Sequence, residues 1–311
     1  MDSDFRLYHI AKLYYIDKMR QSEIAEIYGT STMLISRLLK KAEEQGIVKI
    51  NVEQPINLDI GLGIKLKKRY PAIREFLVAA DEPESNPNQQ VGKLAAHYVA
   101  GILKDGNIIG VSWGKTICEF VQAMPPIYLP NCQVIQQKGG FLNLGNHPFV
   151  PANMVRILSE KLSCTPLYLN APLFVANQDI RENMDNDPAN SHLLKLARDA
   201  AISVFGISAF TNAATMRQMG VLSQSEIEEL TALGTVGDID GFFIDAQGNE
   251  IMWSKSNCCV GVGLDVLSAA HHRICLASGS DKAVICKIAL EKGFANVFVT
   301  TAYLAKKILE E

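Results

Sequence analysis

The stretch Gln21–Lys41, QSEIAEIYGTSTMLISRLLKK, decides how this chain is read. Ile24, Ala25 and Tyr28 recur at helical spacing and give a first helix one apolar face. Gly29 follows, where a chain leaving a helix often turns through a left-handed conformation. Thr30 or Ser31 can then cap a second helix by accepting a backbone N–H bond. Ile35, Leu38, Leu39 and Ala42 form its apolar stripe, which leaves Thr32, Met33, Ser36, Arg37 and Lys40 outward. A small residue at Ala25 lets the two helices approach closely. This is the pattern of a helix-turn-helix, whose second helix lies in the major groove of DNA. The residues expected to face double-stranded DNA are Gln21, Ser31, Thr32, Met33, Ser36, Arg37 and Lys40. The alternative is a three-helix module that contacts protein.

Outward from this stretch, residues 5–19 predict a preceding helix with Phe5, Tyr8, Ala11, Tyr14 or Tyr15, and Met19 near one face. Gly46 stops the helical pattern, and Ile47–Val52 alternates like a strand, a small wing. Pro55 and Asn57 mark a linker. Asp59–Tyr70 predicts a helix with Lys65, Lys67, Lys68 and Arg69 on one side. Such a helix can connect domains, pair with a copy of itself, touch phosphates, or simply be solvated.

A chain of 311 residues with 48% hydrophobic content suits one small and one large domain, 1–54 and 55–311. The formal net charge of −3 excludes a basic polyelectrolyte. Even in the first fifty residues, Arg6, Lys12, Lys18, Arg20, Arg37, Lys40, Lys41 and Lys49 are offset by Asp2, Asp4, Asp17, Glu23, Glu26, Glu43 and Glu44. Tight DNA binding therefore calls for local charge clustering and two or more heads, that is, a homo-oligomer. The seven cysteines include no Cys-x-x-Cys pair and several sit in apolar runs, as expected of small buried side chains in a reducing compartment. The acidic start lacks a signal-peptide pattern, and no apolar run approaches the roughly 20 residues that span a bilayer. A cytoplasmic protein without a membrane partner is expected. The six histidines lack metal-ligand spacing, so neither metal nor cofactor is expected.

From Ala72 onward, short apolar strands alternate with helices, the pattern of an α/β domain with a mostly parallel sheet. Strands are expected at REFLVAA, NIIGV, CQVIQQ, PLYLNAP, AISVFGIS, RICLASG and NVFVT, with GFFID and EIMW as two strands around a turn. Helices are expected at VGKLAAHYVAGIL, Lys115–Met124, Pro151–Leu162, Ser191–Asp199, Ser223–Leu233, Asp281–Lys292 and Ala302–Leu309. Ligands of such sheets bind beyond the strand carboxyl ends, at helix amino termini.

Four loops in those places carry suitable groups. In GVSWGKT, Gly114 lets backbone amides approach a ligand, Ser112 and Thr116 offer hydroxyls, and Lys115 adds charge at a helix start. The spacing is not that of a Walker loop. Trp113 can stack on a sugar ring or belong to the core. In Lys138-Gly139-Gly140 the lysine can pair with phosphate or, if desolvated, form a Schiff base with an aldehyde. Asp238 and Asp240, in GDIDG, can accept bonds from sugar hydroxyls or act as an acid/base pair. SGSDK offers Gly279 and Lys282 at the start of a helix. Asp238, Asp240 and Asp265 are the carboxylates available should the domain be an enzyme needing a base.

In order along the chain, QSEIAEIYGTSTMLISRLLKKAEEQGIV, NIIGVSWGKT, VIQQKGGF, VGDIDGFFID and ASGSDKAVICKIALEKGFANVFVTTAYLAKKIL resemble the SorC family of sugar-responsive transcriptional regulators. VSWGKT and the lysine of VIQQKGG are most similar to its deoxyribonucleoside regulator branch. The resemblance implies a tetramer with a helix-turn-helix head and an α/β effector domain like that of sugar-phosphate isomerases. It implies a regulator, expected to be a repressor, of a sugar or deoxyribonucleoside catabolic operon. Its effector would be a phosphorylated sugar such as deoxyribose 5-phosphate. By position, Ser112, Gly114, Lys115, Thr116, Lys138, Gly139, Gly140, Asp238, Asp240 and Lys282 inherit effector contact. The opposing reading is a sugar-phosphate isomerase or deaminase-like enzyme that carries a helix-turn-helix head.

Overall fold

The computed structural model describes residues 3–49, 57–82, 85–141, 149–211, 214–267 and 270–310. The chain divides into two compact units, Met1–Pro55 and Ile56–Glu311.

The first unit is helical. Helix α1 (Ser3–Ala11) passes into a π-helical turn at Lys12–Ile16, and α2 (Gln21–Ile27) and α3 (Thr32–Glu44) follow. Helices α1 and α2 both pack on α3. Their core is Leu7, Ile10, Ala11, Ile24, Ala25, Ile35, Leu39 and Ala42. Gly29 leaves α2 at φ +58, and the Thr30 amide donates back to Ala25 O at 2.9 Å. Ser31 caps α3, its Oγ accepting from the Leu34 amide at 3.2 Å. The face expected for α1 is corrected: Phe5 and Tyr8 are exposed, and Leu7, Ile10 and Ala11 make the inward i, i+3, i+4 stripe. Phe5 instead stacks on His9, whose Nδ1 pairs with the Tyr28 hydroxyl. The expected wing does not begin at Ile47–Lys49, which form a bend, and its remainder, 50–52, lies outside the described residues, as does Pro55 of the linker.

The second unit opens with α4 (Ile60–Arg69), capped by Asp59 on the Leu62 amide at 2.8 Å. Strand β1 (Glu75–Ala79) leads to α5 (Pro87–Ile102), β2 (Ile108–Val111), α6 (Lys115–Ala123) and β3 (Gln133–Gln136). Then come α7 (Pro151–Leu162), β4 (Thr165–Leu167), α8 (Gln178–Asn186), α9 (Pro188–Arg198) and β5 (Ile202–Ala209). Short helix α10 (Thr215–Gln218) and α11 (Gln224–Ala232) precede a hairpin, β6 (Gly237–Ile239) with β7 (Phe242–Ile244). The unit ends with α12 (Leu264–Leu267), β8 (His272–Leu276), α13 (Ala283–Glu291), β9 (Val297–Thr301) and α14 (Ala302–Leu309).

The main sheet is parallel, in the order β1-β9-β8-β5-β2-β3-β4. Both faces are covered, so neighbouring residues of one strand serve two cores. Val204, Ile274 and Val297 face α5, α6 and α7, whereas Phe205, Cys275 and Phe298 face α4, α13 and α14. Strand β5 outruns the parallel sheet. Its Ile202–Gly206 segment pairs with β8, and Ile207–Ala209 pairs antiparallel with β6. Crossovers from β2 and from β5 run in opposite directions, which makes the gap between them the topological switch point where such sheets bind ligands.

Three local expectations are corrected. The hairpin is GDI against FFI, turned at Asp240-Gly241 with φ of +51 and +86, and EIMW contributes only a single bridge from Glu250 to Ile244. Helix α5 begins four residues earlier than its apolar period, because Asn86 caps it and Pro87 occupies its first turn. The strand expected at PLYLNAP is only three residues, Thr165–Leu167.

Candidate functional site

Beyond the carboxyl ends of β2, β5 and β8 lies a cavity of about 230 Å³. One wall is the β2–α6 loop, Ser112 to Ile117. The start of α5 contributes Pro87 and Asn88, and the β8–α13 loop contributes Ser278, Gly279, Asp281 and Lys282. The far wall is the end of β5 with Asp238 and Asp240 of the hairpin. The cavity thus sits at the switch point.

The first wall is built to meet an anion. Gly114 precedes α6 at φ +119 and ψ 173, a conformation that only glycine takes without strain. It carries no side chain to cap the helix, and the first-turn amides of a helix have no partner within it. The turn Ser280–Lys282, entered at Gly279 with φ +95, likewise lacks a side-chain cap. Lys282 stands on the wall, and Lys115 reaches Oε1 of Gln218 at 2.8 Å. The Thr116 and Ser278 hydroxyls each donate to Oδ1 of Asn88 at 2.7 Å.

The far wall is acidic and buried. Ser112 donates its hydroxyl to Oδ1 of Asp240, and the Gly241 amide donates to Oδ1 of Asp238 at 3.1 Å. Burial pushes the Asp238 carboxyl up to about 7, helped by the neighbouring Asp240 and opposed by the Gly241 amide, Lys282 and Lys138. Asp240 is also raised by burial, against the pull of Lys138 and the Ser112 bond. Two carboxyl groups held this way can both donate to and accept from hydroxyls of a sugar.

The structure therefore brings together Ser112, Trp113, Gly114, Lys115, Thr116, Asp238, Asp240, Gly279 and Lys282. Lys138, Gly139 and Gly140 do not line this cavity, unlike the other residues that the resemblance places in effector contact. Past β3 the chain bridges sideways, Lys138 to Gly261 and Gly140 to Pro172. Fully buried Lys138 donates to Val262 O at 2.7 Å with its Nζ 3.5 Å from the centroid of the Phe242 ring. At Gly139 a Cβ would lie 2.2 Å from Pro172 O, so this glycine serves close backbone approach. Gly140 lines a separate recess with Phe141 and Lys255. Trp113 is mostly core, edge-on to Phe141 at 4.6 Å, with part of its surface on the cavity. Asp265 is exposed and off the cavity wall. Sequence reasoning missed Asn88; the Asn86-Pro87 helix start was the signal that places it here.

In the first unit, Thr32, Met33, Ser36, Arg37 and Lys40 are exposed on α3, as is its cap Ser31, while Gln21 is half-buried at the start of α2. Lys40 stands 3.9 Å from Glu44 on the same face. Among the described residues no group of three or more His, Cys, Asp or Glu is placed to hold a metal ion. No helix among them is long and apolar enough to cross a membrane.

A family model described as "Putative sugar-binding domain" matches residues 54–310. The deoxyribonucleoside regulator of Bacillus subtilis is 28% identical over 302 residues, covering 97% of this chain and 96% of that protein. The transcriptional regulator LsrR of Escherichia coli is 26% identical over 304 residues, 96% of this chain and 93% of that protein. The crystal structure of the full-length sorbitol operon regulator SorC from Klebsiella pneumoniae aligns over 100% of both chains, with a TM-score of 0.73 and 25% identity. All three are regulators by name, and the opposed walls of the cavity suit a polar, anionic sugar. The chain belongs to the SorC family of transcriptional regulators, with the family's sugar-binding domain at residues 54–310.

Proposed function

We propose that this protein binds operator DNA through α3 and that a phosphorylated sugar in the cavity sets its DNA affinity. The observation that carries this reading is the pair of opposed walls. Uncapped turns at Gly114 and Gly279 with Lys282 suit a phosphate, and Asp238 with Asp240 suits hydroxyls. The effector class is a pentose or deoxypentose phosphate, such as deoxyribose 5-phosphate, and the controlled genes serve sugar or deoxyribonucleoside breakdown. Repression is the mode we assign, with the effector releasing the operator. Two or more heads act together, because the charge of one head is nearly balanced.

A thermal-shift screen of phosphorylated sugars against their unphosphorylated parents tests the effector class, since a ligand of the folded state raises its stability by mass action. The expected result is a shift with a pentose phosphate and release of operator DNA at the same concentration. Turnover of that sugar phosphate would instead favour the isomerase or deaminase reading. Lys138, buried off the cavity wall, has its own test. A borohydride-trapped adduct of the sugar aldehyde would return it to the site as a Schiff base. No adduct, with the response intact in Lys138→Arg, would leave it outside effector contact.

A further inference from the structure

We propose that Asn88 organises the phosphate end of the cavity and supplies side-chain amide donors to the phosphate oxygens, an inference that rests on the phosphosugar reading above. Asn88 is the second residue of α5 and lines the cavity. Its Oδ1 accepts the Thr116 hydroxyl, 28 positions away, and the Ser278 hydroxyl, 190 positions away, both at 2.7 Å. One oxygen thus ties the start of α6 to the tip of β8.

In that arrangement both hydroxyl protons are engaged, and neither is left for an anion. The Nδ2 of Asn88 has no hydrogen-bond partner among the described residues, and its two N–H groups remain to be satisfied. The Oδ1 bond to Thr116 sets this amide group beside the α6 turn that Gly114 leaves uncapped. The opposite wall carries the carboxyl groups of Asp238 and Asp240, which offer a phosphate no cation and repel it once ionised. The phosphate accordingly belongs at the Asn88 end and the sugar hydroxyls at the hairpin end. A bare helix terminus would bind any anion weakly. The Asn88 amide, held by two loops, adds directed donors and fixes the ligand's orientation.

Asn88→Asp tests this with little change of shape. The aspartate still accepts both hydroxyls, but a charged oxygen replaces the NH₂ group. Full-length protein is titrated with ribose 5-phosphate, inorganic phosphate and ribose at pH 8 and pH 5.5. At pH 8 the variant should bind the two phosphates at least about thirtyfold more weakly than wild type, as charge repulsion at close range dictates. The loss should shrink at pH 5.5, where the phosphate has taken up a proton. Asn88→Ala should lose roughly tenfold for the phosphates, nearly alike at both pH values, and nothing for ribose. Phosphate affinity of Asn88→Asp within about threefold of wild type at pH 8 overturns the inference and leaves the phosphosugar reading standing. If Asn88→Asp fails to fold, Asn88→Ala decides, and unchanged phosphate affinity in it overturns the inference. A wild-type protein that binds ribose but neither phosphate ends the phosphosugar reading, and this inference with it.

Discussion

The Ser112 hydroxyl donates to Oδ1 of Asp240, joining the tip of β2 to a hairpin turn 128 residues further along the chain. Both side chains are buried, so this bond carries part of the cost of placing a carboxyl group out of water. Ser112→Ala should destabilise the fold by about 1–3 kcal/mol at pH 8. Burial already raises the Asp240 carboxyl above its ordinary value, and losing the bond raises it further. A raised acid gives stability at low pH that is lost as pH rises through the folded-state value. The penalty should therefore be smaller at pH 5, as urea unfolding midpoints at the two pH values will show.

Asp238 should govern the pH profile of stability. Its folded value is about 7 against an ordinary value of 3.8, so the folded state holds an extra proton between them. Stability from this group is fully present below about pH 4 and is lost as pH rises towards 7. Asp238→Asn keeps an acceptor for the Gly241 amide and removes the titration. Its stability should change less between pH 4 and pH 8 than that of wild type, by on the order of 2–4 kcal/mol. Parallel profiles for the two proteins would refute the assignment.

Gly114→Ala isolates the backbone at the mouth of α6. Nothing lies within 4 Å of an added Cβ, so the cost is purely conformational. With φ at +119, the substitution should cost about 1–3 kcal/mol or force the loop to rearrange. Weakened binding of phosphorylated sugars should accompany it in calorimetric titration, because the same loop presents the α6 amides.

Two substitutions on α3 separate base reading from phosphate contact. Arg37→Ala should cost about 1–3 kcal/mol on the operator and relax specificity. Lys40→Ala should weaken operator and random DNA alike and reduce the slope of log affinity against log salt by about 1. Fluorescence anisotropy over a salt series measures both. Equal losses on operator and random DNA for Arg37→Ala would remove it from base contact.

Local chemistry made much of this legible. The α2–α3 pair was readable because its stripe, turn glycine and Ser31 cap all lie within one short stretch. Most strands of the parallel sheet were readable as apolar runs, since both faces are buried. Helix α8 was not, because none of its residues is fully buried and Ile180 and Met184 are its only apolar side chains. The hairpin is harder to read although its signal is present: Asp240-Gly241 is a two-residue turn of the kind that right-twisted hairpins favour, but the strands beside it, GDI and FFI, are only three residues each. Lys138 followed the pattern of a strand-end lysine, but its position depends on pairing with Gly261, far away in sequence. The bonds of Asn88 to Thr116 and Ser278 are equally invisible to any local window.

The bond between Asn88 and Ser278 also sets a clock. During synthesis the amino-terminal head is complete while most of the second unit is still to be made, and domains fold as they emerge. The cavity cannot close until the chain has grown past Ser278 and Lys282. Each newly made regulator should therefore pass through an interval in which its head is formed but deaf to sugar.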